Sequence, residues 1–450
     1  QRMMYGLVTV VHLAGTKEQL DADTESLLAV GRKHLCQLST LRWQQRDGLD
    51  TVLPYGVRRI HALRTLTTES VAVLMPFKAQ ELNHTNGIYY GQNAVAGNMI
   101  RIDRAQLLNG HSFRLGVSGS GKSMSAKEEL VEIALRTKDD ILILDPESEF
   151  GQLVKALGGE VLPISPHSSI HLNALDIDRA YGEGKNPLVD KVKLILSIFE
   201  PLTENGLTAK QRSLLDRCAE RVYRGYIRGG YRGTPPTLVD LRRVLLEQPE
   251  AEAHDLALAS ELYTTGSLNI FAHQTNVNTD ARILCYDIRE LDEQLRPVGM
   301  VVTLDAIFNR VIRNWRQGKR TWILADEFYI LFRYSFSAEF FYRLFKRMRK
   351  YNAFITAISQ NVDEILRSDT ARLMLANSEL LVMLNQAATD REELAKLLNI
   401  SENQLSYITN VPAGHGIIRC GGAIIPFENS FPKNTKLYRL MTTKPNEKFL

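Results

Sequence analysis

Gly116-Val-Ser-Gly-Ser-Gly-Lys122-Ser123 has the spacing G-x-x-x-x-G-K-[ST], the loop that cradles nucleotide phosphates. The apolar residues before it, through Phe113 and Leu115, read as a strand, and Met124 to Thr137 reads as a helix. That strand–loop–helix context is what the motif needs. Gly116, Gly119 and Gly121 let backbone amides turn toward phosphate oxygens, with Ser118, Ser120 and Met124 completing the cradle. The helix N-terminus adds a field that favours anions. Lys122 is expected to reach the β- and γ-phosphates of ATP, and Ser123 to ligate Mg²⁺.

A second constellation lies about 200 residues downstream. Thr321-Trp-Ile-Leu-Ala-Asp326-Glu327 is an apolar strand ending in two acids. Asp326 is expected to hold Mg²⁺ through water, and Glu327 to orient and deprotonate the attacking water. An acid pair alone could equally open a helix; the upstream loop favours catalysis. Gln360 follows the apolar run Phe354–Ile358, where a glutamine can sense a γ-phosphate and position water or be an ordinary loop amide. Arg343, Lys346, Arg347, Arg349 and Lys350 cluster after the acid pair. Arg347 and Arg349 are candidates for an arginine acting in a neighbouring subunit's site, and Arg391 is a third. The cluster also fits a DNA-phosphate contact or a solvated helix face. Arg221, Arg224 and Arg228 alternate with Tyr223, Tyr226 and Tyr231, a pattern that grips single strands but is more often an ordinary amphipathic helix.

The elements that must position these residues follow from periodicity. From Phe113 onward strands alternate with helices, which implies an α/β fold with a mainly parallel sheet covered on both faces. Apolar runs at Ile141–Leu144, Ile283–Tyr286, Trp322–Ala325, Phe354–Ile358 and Leu380–Leu384 are its expected strands. They end in Asp145 with Glu147, Asp287, Asp326 with Glu327, Ser359 with Gln360, and Asn385 with Gln386. Ligand sites of open parallel sheets lie at such carboxyl ends. Residues 86–184 and 273–450 form this domain. Residues 185–272 read as an inserted all-α piece, with amphipathic helices at Leu188–Phe199, Ala209–Ile227 and Leu238–Glu247 broken by Gly229-Gly230 and Pro235-Pro236. Residues 1–85 read as a small α/β unit, with strands at Met4–Leu13 and Ser70–Phe77 and a Thr16/Gln19 capping box. Strands at Gly87–Val95 and Met99–Leu107 lead into the loop.

Bulk properties narrow the class. The chain has 450 residues, 44% hydrophobic and 24% charged, with net charge +4, ordinary values for a globular protein that permit nucleic-acid contact without arguing for it. No apolar run nears the roughly 18 residues of a membrane span. Gln1 opens a chain without a signal-peptide pattern, so it reads as a piece of something longer. Cys36, Cys218, Cys285 and Cys420 form no C-x-x-C pair and read as reduced packing residues of a cytosolic protein. The guanine-reading N-K-x-D and the L-S-G-G-Q of transporter ATPases are both missing from the sequence.

These residues resemble the VirB-type conjugation ATPases of type IV secretion, the group that includes the TraC and TrbE proteins, within the broader HerA/FtsK group of P-loop motors. Besides the phosphate loop, the likeness rests on Ile143-Leu-Asp-Pro-Glu-Ser-Glu-Phe150, Trp322-Ile-Leu-Ala-Asp-Glu-Phe328, Ile358-Ser-Gln-Asn-Val362, and Gly414-His-Gly-Ile-Ile-Arg-Cys-Gly421 with Ile425-Pro-Phe427. The run from Arg64 and Gly87-Ile-Tyr-Tyr-Gly-Gln-Asn93 match the family's entry into its motor domain. The resemblance implies a RecA-like P-loop domain with an all-α subdomain, working as a homo-hexamer at the cytoplasmic face of a secretion channel. It would be held to the membrane through channel components, alongside a coupling protein, and would energise channel assembly and DNA–protein transfer. Lys122, Ser123, Asp326, Glu327 and Gln360 carry over on motif positions; Glu147 and Glu149 match the acidic passage without an assigned role. Set beside the family, residues 1–85 read as the C-terminal remainder of its N-terminal α/β domain. A translocase acting directly on DNA, of the HerA/FtsK kind, is the alternative.

Overall fold

The computed structural model describes residues 2–73, 80–184, 186–332, 335–360 and 362–444. It comprises two compact units, Gln1–Ala79 and Gln80–Leu450. In the first, β1 (Met3–Gly6) pairs antiparallel with β2 (Arg64–Thr67), and a helix spans Lys17–Lys33. Thr16 caps that helix by accepting from the Gln19 amide, but the Gln19 side chain donates to Asp23 instead of closing a reciprocal box. The strand expected at Met4–Leu13 stops at Gly6. Ser70 to Val73 belong to a helix, Thr68–Val73, not to a strand; the rest of that expected strand, 74–77, lies outside the described residues.

The second unit is built on one sheet. Its strands are β3 (Ile88–Asn93), β4 (Met99–Ile102), β5 (Ser112–Leu115), β6 (Asp140–Asp145), β7 (Glu160–Pro163), β8 (Ile283–Asp287), β9 (Thr321–Ala325), β10 (Ala353–Ser359), β11 (Leu380–Met383), β12 (His415–Cys420) and β13 (Ala423–Glu428), ordered β4-β3-β13-β12-β11-β5-β10-β9-β6-β8-β7. From β11 to β7 every pairing is parallel. β12, β13, β3 and β4 extend the other edge antiparallel.

Successive residues of a strand face opposite sides, and here both sides are apolar. Leu142, Leu144, Ile323, Ile355 and Leu381 enter one buried cluster, while Ile141, Ile143, Leu324, Phe354 and Val382 enter the other. Such continuous runs are what a doubly covered parallel sheet demands. The first face is covered by the long helix Arg296–Arg316 and by helices Pro187–Phe199, Ala209–Arg228, Leu238–Leu246 and Ala251–Ala259, whose Leu194, Leu215, Leu241 and Leu256 join the same cluster. The second is covered by the helix Lys122–Arg136, through Ala126, Leu130 and Ile133. Tyr223 is buried with its hydroxyl donating to Leu175 O, and Arg221 pairs with Glu247, so that basic–aromatic stretch forms an amphipathic helix with its rings turned inward. Cys218, Cys285 and Cys420 are buried, whereas Cys36 is exposed. No helix among the described residues is long and apolar enough to cross a membrane.

Candidate nucleotide site

The tips of three adjacent strands, β5, β10 and β9, carry the residues singled out from sequence. Past β5 the chain turns through Gly119 (φ 78°) and Gly121 (φ 102°) into the helix Lys122–Arg136. These are left-handed conformations that cost an L-residue about 1 kcal/mol or more. Gly121 also lies against Gly414, whose N–H donates to Ser120 O at 3.0 Å. A side chain at Gly414 would drive its Cβ to within 2.2 Å of Asn429 O, so the Gly414-His-Gly passage is a close-approach element that backs the loop. Val117 N–H donates to Asn385 O past the tip of β11.

A cavity of about 610 Å³ opens over this loop. Ser118, Gly119, Gly121, Lys122, Ser123, Met124, Glu149, Glu327 and Gln360 line it. Gly116 and Ser120 lie behind, with a Cβ on Gly116 meeting Ser120 Oγ. Lys122 is buried, and its Nζ donates to Val117 O at 3.0 Å. Burial lowers its pKa, and Glu327, Asp326 and Glu149 oppose the shift.

At the end of β9, Asp326 is almost fully buried, its N–H bound to Leu144 O of β6. Burial, then Glu149, Glu327 and Asp145, push its pKa well above the ordinary carboxylate range. Glu327 adopts φ 42°, a strained conformation of the kind that clusters at functional sites. Its pKa is pushed up to about 7 by burial; Lys122 pulls it down, Glu147 and Glu149 push it up, and the Gln360 amide N–H donates to it. Its buried Oε2 has no hydrogen-bond partner. Asp145 folds back to accept from Glu149 N–H (3.0 Å) and Phe150 N–H (2.9 Å), so in the Asp-Pro-Glu-Ser-Glu passage the aspartate shapes the turn that presents Glu149. Asn361 lies outside the described residues.

The Ser123 hydroxyl on the cavity wall and the buried Asp326 carboxyl at the tip of β9 are hard-oxygen groups of the kind Mg²⁺ takes, although no cluster of three or more metal-ligating side chains occurs among the described residues.

Arg347 and Arg349 lie elsewhere. Arg347 pairs with Glu183 at 3.1 Å. Arg349 acts electrostatically on His111, which precedes β5, and stands in the turn preceding β10. Both mark the amino ends of the parallel strands, while the phosphate loop caps the carboxyl ends. Six residue steps along β10 at about 3.3 Å each separate the two rims by roughly 20 Å, so neither arginine reaches this chain's own site. Arg391 donates to Thr409 at 2.5 Å.

Sequence reasoning missed two groups. One is a buried ion cluster beneath the loop helix. Glu129 binds Arg104 and Arg114, each at 3.0 Å, and accepts from Tyr90 and Thr356. An arginine inside the strand Ser112-Phe-Arg114-Leu was the available signal. The other is the far wall of the cavity, formed by Phe427, Asn429, Phe431 and Tyr438. The Gly421-Gly422 dipeptide between two apolar runs marked the β12–β13 hairpin that carries the chain there.

Comparison with known proteins agrees with this geometry. Residues 263–415 match the family model of the TraG P-loop domain, and residues 93–232 that of the central domain of helicase HerA. The structure of VirB4 of Thermoanaerobacter pseudethanolicus superposes with a TM-score of 0.69 at 23% identity, over 79% of this chain and 99% of that one. The conjugative coupling protein TrwB, unbound, gives 0.47 at 16% identity over 83% and 94%; its complex with the ATP analogue ADPNP gives 0.48 at 15% over 83% and 95%. No curated protein sequence matches. Fold and matched domains define a RecA-like P-loop ATPase. The likeness to VirB4, at 23% identity, shows the fold that the two chains share.

Proposed function

We propose that this chain is the ATP-hydrolysing motor of a type IV secretion or conjugation system, energising channel assembly and the transfer of a DNA–protein substrate. The observation that carries this is the convergence of Lys122, Glu327 and Gln360 on one cavity, with Asp326 beneath it, at the carboxyl ends of adjacent parallel strands. In this reading residues 86–184 and 273–450 are the motor, 185–272 an inserted all-α subdomain, and 1–85 a small α/β unit of its own. The motor works as a homo-hexamer, held at the membrane's inner face by channel components and a coupling protein.

The loop amides and Lys122 bind the phosphates, Lys122 exchanging its bond to Val117 O for β- and γ-phosphate oxygens. Glu327, ionised at and above neutral pH, takes the proton of the attacking water, and Gln360 orients that water. Ser123, and Asp326 through water, would hold Mg²⁺, which would supply positive charge beside the phosphates.

Replacement of catalytic groups tests the site. Lys122→Ala is expected to abolish nucleotide binding or turnover. Glu327→Gln should retain ATP while cutting turnover by about 10²–10⁴, the usual contribution of a positioned base. Normal hydrolysis by Glu327→Gln, measured as phosphate release, would remove the base assignment. Addition of single- or double-stranded DNA separates a secretion motor from a translocase of the HerA kind, the helicase whose central domain matches residues 93–232: large, salt-dependent stimulation favours the translocase.

A further inference from the structure

The first unit, Gln1–Ala79, carries a surface that the nucleotide site does not use. Its helix Lys17–Lys33 is joined to the next, Gln45–Val52, through Arg32-Lys-His-Leu35-Cys-Gln-Leu38-Ser-Thr-Leu41-Arg-Trp43-Gln-Gln-Arg46. This stretch holds four cations and no acid; Asp47 is the first beyond it. Two leucines pin it down. Leu38 fills the space a side chain on Gly31 would need, and Leu41 does the same over Gly48. With those two turned toward the helices, Leu35 and Trp43 are left standing in solvent, 96% and 95% exposed.

The display is costly, which argues for a use. Leu35 adopts φ 58° and Trp43 φ 63°. Glycine takes such backbone freely, whereas a bulky side chain there is an outlier, of the strained kind that gathers at functional sites. Arg32 and Lys33, in the last turn of Lys17–Lys33, suit that helix's dipole. Arg46 does not: it lies in the first turn of Gln45–Val52, the end where a helix disfavours a cation. The nearby Asp50 is already taken by Arg59 at 3.2 Å.

We infer that the loop 32–46 is a lipid-facing anchor. Arg32, Lys33, Arg42 and Arg46 lie against anionic headgroups, while Leu35 and Trp43 enter the interfacial layer. Tryptophan at headgroup level, aliphatic side chains beside it and cations around them are what such a contact requires. A nucleic-acid strand would use the cations but wants successive aromatic faces to stack its bases, and the loop has one. A protein interface keeps charge out of its core, whereas here Lys33 and Arg42 adjoin the two exposed tips. The contact is made by this chain directly, so it is separate from the channel components of the reading above and independent of the ATP site.

Sedimentation of the full chain with vesicles tests this, using phosphatidylcholine alone and phosphatidylcholine with an equal part of phosphatidylglycerol. The chain is expected to sediment with the acidic vesicles only. Salt should release it, because screening shortens from about 10 Å at 0.1 M to about 3 Å at 1 M. Trp43 emission should move to shorter wavelength on binding. The other tryptophans, Trp315 and Trp322, already pack on Tyr351 and Phe354, so Trp43→Phe should remove the shift yet stay on the vesicles. Glutamine at all four cations should weaken binding by about 10²–10³, at roughly fivefold per cation near an anionic surface. Leu35→Gly with Trp43→Gly should weaken it by about tenfold or more without lowering the melting temperature, because glycine suits both left-handed positions. Equal binding to neutral vesicles, no binding to acidic ones, full binding by the glycine or glutamine variant, or a spectral shift that survives Trp43→Phe overturns the anchor. So does single-stranded DNA held more tightly than acidic vesicles and lost with the four cations, which would make the loop a nucleic-acid contact.

Discussion

Glu327 keeps its proton to about pH 7 because its carboxyl is buried beside Glu147 and Glu149, with Lys122 alone among its charged neighbours pulling the other way. A base works only when ionised, so the sign is fixed: ATPase kcat/KM should rise with pH, by about tenfold between pH 6 and pH 8 for one group titrating near 7. Glu149→Gln removes a negative neighbour and favours the ionised form, so the same limb should move to lower pH. A pH–rate profile of wild type and variant checks both; a flat wild-type profile would show that another group takes the proton. At this scale sequence was most informative. Lys122, Ser123, Glu327 and Gln360 could be named because a loop motif and two strand ends fix their neighbourhood. The stretch of cavity wall at Glu128 and Asn429 could not, because the two are separated by 301 residues and only the packing of the chain's last segment on the loop helix brings them together.

Between residue and site stands the helix Lys122–Arg136, and what sets it on the sheet is charge as much as apolar burial. Burial alone would raise Glu129, yet Arg114 and Arg104 hold it down to about 2. Its contribution to stability is therefore complete above the ordinary carboxylate pKa near 4.5 and is lost as pH falls toward 2. Glu129→Ala leaves two buried guanidinium groups uncompensated, which should cost about 3–5 kcal/mol, read as a lower urea midpoint at neutral pH. An unchanged midpoint would mean that solvent reaches the cluster. The elements were legible where periodicity had one interpretation: each apolar run expected to form the parallel sheet does so. They were not legible where length or tertiary contact decided. β7 is four residues with a terminal proline, too short to show alternation. Ser70 to Val73 is β-branched and apolar enough to suggest a strand, yet folds as a helix.

At the scale of the molecule, the two rims of the parallel sheet divide the labour of the proposed motor. The carboxyl rim holds the phosphate loop and the base Glu327; Arg347 and Arg349 stand at the amino rim, roughly 20 Å away. In one chain these arginines cannot neutralise charge on a transferring phosphate. In a ring, one subunit's amino rim can face its neighbour's carboxyl rim, and an arginine supplied in trans is worth about 10³–10⁵ in rate. Turnover per chain should then rise steeply with protein concentration. The mixing experiment sharpens this. Arg347→Ala/Arg349→Ala and Glu327→Gln preparations should each be nearly inactive alone, yet recover activity when combined, because interfaces that join an intact arginine to an intact Glu327 reappear. Mixtures without recovery, or turnover per chain independent of concentration, would detach these arginines from catalysis and leave them to the Glu183 pairing already seen for Arg347.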